Sequence, residues 1–232
     1  MAAVLDRDLS AAWLDAALTV ARQGKPVSEG RAALAEALAG APLGDAARKK
    51  TLTALTRIWL QPAAERREHT LWALEYSDKT TDWRPLHVGA LMAGEPFFRD
   101  LLAACTYELR ARGQLDTVTL RARLRNTHGA KRSIDIATQR GVKTLRSLGL
   151  LTGDPQASIS EVGALSIRDG NLAAWLVHCL LLGRGAESIA MEDLSHAPEL
   201  FAVQLPAALP RAAAGLTKHV EGIGRTVLAL DR

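Results

Sequence analysis

Residues 107–150 carry the side chains best suited to bind a polyanion. Ten lysines and arginines stand against three acids there, a local charge of +7 in a chain whose total is +4. The cations are Arg110, Arg112, Arg121, Arg123, Arg125, Lys131, Arg132, Arg140, Lys143 and Arg146, and the acids are Glu108, Asp116 and Asp135. The rest of the chain therefore sums to −3, so the positive charge is concentrated rather than spread. Lysine and arginine favour nucleic acid because each phosphate they neutralise releases condensed counterions; about six to ten such contacts give a steep salt dependence. The ordinary alternative is a solvated helical face that keeps the protein soluble.

The other chemistries lack their residues. The six histidines are scattered, none at metal-ligand spacing, and no Cys-x-x-Cys occurs. No Walker A loop is present. The GxG pairs at 183–185 and 222–224 lack the third glycine and the strand–helix setting of a dinucleotide fingerprint. Glu192 and Asp193 are adjacent, and neighbouring carboxylates on a helix diverge. The expectation is a non-enzymatic protein with no metal and no cofactor.

The cationic segment has to be positioned by helices. Asp116 is placed to cap a helix over TVTLRARLRNT, with Val118, Leu120 and Leu124 as its apolar contacts. THGAKR breaks that helix. A longer one follows from about Ser133 to Leu148, with Ile134, Ala137, Val142, Leu145 and Leu148 inward and Asp135, Gln139, Arg140, Lys143 and Arg146 outward. Arg121, Arg123 and Arg125 alternate by two, so they cannot share one helical face. Beyond GLLTGDP the period becomes alternating, and QASISEVGALSIR suggests a hairpin turning at Glu161 to Gly163. Helix, turn, longer helix and hairpin in that order are the pattern of a winged helix-turn-helix. Its second helix would enter the major groove of double-stranded DNA. The expected nucleic-acid-binding residues are Arg121, Arg125, Lys131, Arg132, Gln139, Arg140, Lys143 and Arg146. Gln139 would read adenine, and Arg140, Lys143 or Arg146 would read guanine or hold phosphate.

The remaining chain is mainly α. Its apolar mass is alanine and leucine, with ten aromatic residues, five of them tryptophan. Helices are expected over 8–22, after a Ser28 cap, over 45–60, after Pro62, and after Pro85 and Pro96. Trp59 and Trp72 fall on apolar faces, and Trp83 follows the polar run SDKTTD. A buried helix is expected near 171–183, then helical pieces around Pro206 and Pro210. A last hairpin turns at EGIG; its Lys218 and Arg225, with Arg211 and His219, suggest a secondary basic patch. A boundary at 113–116 would divide a helical domain, 1–113, from 114–232. Cys105 and Cys179 suit reduced core thiols in a cytoplasmic protein. MAAVLDRDLS has charges where a signal peptide needs an apolar run. The longest apolar run, Leu172 to Leu182, is interrupted by His178 and is short of the ~20 residues a bilayer needs, so no membrane contact is expected.

The order of these pieces resembles the BrxA family, the small helical DNA-binding components of BREX phage-defence systems. The resemblance covers roughly residues 10–168. It runs through AAWLDAALTVARQGKPVSEGRAALAEAL, ARKKTLTALTRIWLQ, LHVGALMAGEPFFRDLLAACTYELR and SIDIATQRGVKTLRSLGLL to a hairpin ending in LSI. It implies a bacterial, non-catalytic protein that binds double-stranded DNA beside other defence-system proteins. The tail after about residue 169 is longer than that family's, and the N-terminal half is richer in alanine, which leaves other helical DNA-binding families open. Two further classes fit the same features: a scaffold that docks an acidic protein through a winged helix, and a helical RNA-binding module of antitermination type. Sequence leaves the oligomeric state open.

Overall fold

The computed structural model describes residues 7–154, 156–222 and 224–231. Helix α1 (Ala11–Arg22) starts where the Ser10 hydroxyl accepts the Trp13 N–H, and it buries Leu14, Ala17 and Leu18. Helix α2 (Val27–Ala37) starts directly behind Pro26; Ser28 lies inside its first turn and caps nothing, contrary to expectation. Proline's fixed φ already sets the entry there. Helix α3 (Asp45–Leu55) runs on into a π turn, Thr56–Leu60, which carries Ile58 and Trp59 into the core. Pro62 does not open the next helix: a 3₁₀ turn, Ala64–Arg66, intervenes before α4 (Arg67–Tyr76). Pro85 and Pro96 do occupy the first turns of α5 (Arg84–Gly94) and α6 (Pro96–Arg112), where their missing N–H is no loss.

Gly113, in the left-handed region, ends α6 and leads into β1 (Leu115–Asp116). The Asp116 carboxylate then accepts the Val118 N–H at the start of α7 (Thr117–His128), as its sequence position predicted. Helix α8 (Arg132–Ser147) follows a short break and buries Ile134, Ala137, Val142 and Leu145 against α6 and α7. The hairpin after α8 is not where alternation placed it. Its strands are β2 (Leu151–Thr152) and β3 (Ile159–Val162), joined through 153–158. Gly163 is a point of close approach rather than a turn. Its N–H donates to the Leu150 carbonyl at 3.0 Å, and a Cβ there would collide with the carbonyl of Gly149. Strand β1 adds to the other edge of β3, giving the antiparallel order β1-β3-β2.

β4 (Leu165–Ser166) leaves that sheet and pairs in parallel with a later strand. Helix α9 (Gly170–Arg184) runs through the middle of the molecule, and Trp175, Leu176, Val177 and Leu180 are wholly buried. Then come β5 (Ser188–Ala190) and the single turn α10 (Met191–Leu194). The expected helical pieces near Pro206 and Pro210 are not formed. Positive φ at Ala202 turns the chain into β6 (Val203–Gln204), the partner of β4, and the segment is extended up to β7 (Ala212–Ala213). The two prolines cannot supply interior helical N–H groups, which favours that outcome. β8 (Leu216–Glu221) and β9 (Arg225–Leu230) form the expected last hairpin, inside a four-stranded sheet of order β5-β9-β8-β7.

The molecule is mainly helical, with ten α-helices and short strands in small sheets among the described residues. One contiguous buried cluster extends from Leu9 to Leu228 and so crosses position 113. Its centre is aromatic. Trp175 stacks on Trp72 and on His69, and its indole N–H donates to the His69 carbonyl at 2.8 Å. Burial, reinforced by His178 and Arg66, lowers the pKa of His69 to about 3, so its ring is neutral in the folded protein. Cys105 and Cys179 are free and fully buried, and burial pushes both thiols up. Trp83, which follows the polar run SDKTTD, is half-buried, its N–H shared by the carbonyls of Ser77 and Thr80. Among the described residues no helix is long and apolar enough to cross a membrane, and no cluster of metal-ligating side chains occurs.

Candidate nucleic-acid interface

The outer face of α8, the first turns of α7 and the tip of the β2–β3 hairpin enclose an open groove of about 660 Å³. Helix α8 contributes Ile136, Gln139, Arg140, Lys143 and Arg146; α7 contributes Thr117, Val118 and Arg121; the hairpin contributes Gln156, Ala157 and Ser158. Four cations therefore face one carboxylate, that of Asp8. The N-terminal segment brings Asp8 here because the Leu9 and Ala11 N–H groups donate to the Thr144 and Ser147 hydroxyls of α8, at 2.9 and 2.7 Å.

The three alternating arginines of α7 take three directions, as their spacing requires. Arg121 turns into the groove. Arg123 turns inward to α6, bonding the Glu108 carboxylate at 2.7 Å and lying over the Tyr107 ring. Burial pushes the Glu108 carboxyl up, but hydrogen bonds from Arg123 and Thr119 and the charges of Arg123 and Arg112 outweigh it, holding the group below the usual carboxylate range. Arg125 reaches across the helix–helix turn to a two-pronged pair with Asp135 at 2.6 and 2.5 Å. That hydrogen bonding holds Asp135 below the ordinary aspartate value and ties α7 to the first turn of α8.

The groove thus gathers five of the eight residues expected from sequence: Arg121, Gln139, Arg140, Lys143 and Arg146. Arg125 is committed to Asp135, whereas Lys131 and Arg132 stand exposed at the α7–α8 turn, outside the groove lining. Arg146 also supports the hairpin, donating to the Ser160 hydroxyl at 2.8 Å. Sequence reasoning missed Asp8, Ile136 and the hairpin tip, and it counted Val118 among the apolar contacts of α7, whereas Val118 is exposed and lines the groove. The cap at Asp116 marks Val118 as a first-turn residue, and Ile136 falls between the outward polar positions; nothing local marks Asp8.

The secondary basic patch is not assembled. Cross-strand partners share a sheet face. Lys218 pairs with Leu228 and Arg225 with Glu221, so the two cations project from opposite faces of the β8–β9 hairpin. Lys218 donates to the Leu209 carbonyl, and Arg225 lies 3.6 and 3.8 Å from Glu192 and Asp193. Its surroundings are therefore mixed in charge.

Comparison with protein-family models, curated proteins and solved structures gives no match for this chain.

Proposed function

We propose that this protein binds double-stranded DNA without catalysis, through a winged helix-turn-helix spanning α6 to β3. The observation that carries the reading is the groove. It presents the outward face of one helix, Gln139, Arg140 and Lys143, beside a second helix start and a hairpin tip, with cations in excess of acids. Support also comes from element order: helix, strand, helix, helix and a two-stranded hairpin, with the first strand pairing beside the last. A helix of α8's length and ~10–12 Å diameter suits a major groove ~12 Å wide. Arg121, Arg140, Lys143 and Arg146 would meet phosphates or guanine edges, Lys131 and Arg132 would add phosphate contacts at the helix–helix turn, and Gln139 would face a base. Following the resemblance to the BrxA family, we assign the protein to a cytoplasmic, bacterial phage-defence setting of BREX type, beside other defence proteins.

Polarisation titrations of labelled duplex at two salt concentrations test the reading. Binding that weakens steeply with salt is expected. Arg132→Glu/Arg140→Glu/Lys143→Glu is expected to abolish it while helical circular dichroism is retained. No binding at low salt sinks the proposal. Preference for structured RNA would move the assignment to an RNA-binding module, because A-form RNA hides its major groove from a helix. Nuclease-resistant capture of a protein partner, with no DNA affinity, would move it to an acidic-partner scaffold.

A further inference from the structure

The groove is not uniformly polar. Val118 is 61% exposed and Ile136 is 36% exposed, and both line it. A lone exposed isoleucine is ordinary. Here, however, apolar side chains from two helices enter the same cationic groove. Ile136 lies one turn before Gln139 and Arg140 and two turns before Lys143, on the side of α8 opposite Ile134, Ala137 and Leu145. Ile136 is not a member of the buried core cluster. In the major groove, the apolar group on a base edge is the 5-methyl of thymine, and the edge that matches glutamine is adenine N6 and N7. An A·T pair offers both.

We propose that α8 reads A·T pairs, with Ile136 packed on the thymine 5-methyl, Val118 closing the apolar patch from α7, and Gln139 bonding the adenine edge. This inference rests on the DNA-binding reading above. It assigns a base class to the groove, whereas the cations alone would hold any duplex.

Uracil in place of thymine removes the methyl and leaves the pairing pattern intact. The probes are an alternating A·T duplex and the same duplex built with deoxyuridine, titrated by polarisation at low salt. The wild-type protein is expected to bind the thymine duplex about fourfold more tightly for each methyl buried. Ile136→Ala is expected to bind both duplexes equally, near the wild-type affinity for the uracil duplex, and Val118→Ala to narrow the difference. Both positions are exposed enough for the variants to fold, which circular dichroism checks. Equal wild-type affinity for the two duplexes overturns the methyl contact and leaves duplex binding standing. A thymine preference undiminished in Ile136→Ala overturns the residue assignment. Failure of the wild-type protein to bind either duplex overturns both proposals.

Discussion

Two hairpins, β2–β3 and β8–β9, have cations beside or on them, and they differ in what those cations meet. Beside the first, helices α7 and α8 turn Arg121, Arg140, Lys143 and Arg146 toward one concave surface. In the second, Lys218 and Arg225 project from opposite faces, one spent on a carbonyl and the other set against two carboxylates. A positive field at a surface depends on convergence, and convergence comes from the elements that aim the side chains rather than from their number.

The largest effect expected from this contrast is on binding. Arg121→Glu/Lys143→Glu should weaken duplex affinity by about a thousandfold at low salt, because it replaces attraction by repulsion at phosphates. Lys218→Glu/Arg225→Glu should change it by no more than about twofold, because neither residue lines the groove. Comparable losses from the two pairs, in one polarisation series, would erase the distinction.

The hairpins should also differ in mechanical tolerance. Gly163→Ala drives a methyl into the Gly149 carbonyl, so both chains at the base of β2–β3 must move. We expect a loss of about 2–3 kcal/mol in denaturant unfolding. Gly222→Ala, at φ +55° with open space around it, should cost about 1 kcal/mol, the penalty for an L-residue in the left-handed region.

Acid separates the hairpins by a different route. His69 is held neutral, its pKa lowered from 6.5 to about 3. The unfolded chain takes up a proton there first. Stability is therefore full above pH ~6.5 and should fall by about 1.4 kcal/mol per pH unit as pH drops toward 3. His69 faces His178, whose ring N–H donates to the Ala214 carbonyl at the C-terminal sheet. Hydrogen exchange at acid pH should open β7–β9 before β2–β3, and His69→Phe should flatten the slope of Tm against pH. A small effect is also expected from Asp8→Asn. Removing the groove's carboxylate should tighten duplex binding about two- to threefold and lower none of the stability measures, because the N-terminal segment is held by the backbone N–H groups of Leu9 and Ala11.

Much of this was legible in the chain because it is locally encoded. The Asp116 cap, the buried and exposed stripes of α8 and the divergence of Arg121, Arg123 and Arg125 follow from i,i+3 and i,i+4 spacing alone. The last hairpin was legible because alternation and a glycine turn coincide. The β2–β3 hairpin was misplaced because β3 and β4 form one alternating run, ISEVGALS, and only tertiary pairing divides it: β3 goes back to β2, and β4 goes on to β6. The coil around Pro206 and Pro210 was misread as helix because alanine and leucine flank both prolines. Asp8 in the groove was beyond local reading, since its position is set by hydrogen bonds to a helix far along the chain.

Those hydrogen bonds join residues 135 and 136 positions apart. A chain emerging from the ribosome cannot make them until α8 has been synthesised, so residues 8–11 must wait for these partners while seven helices are laid down. Loop closure over that span delays the step further. The face proposed to meet DNA is therefore completed only when the two ends of this long span meet. A fragment beginning at residue 114 would lack the segment that completes it.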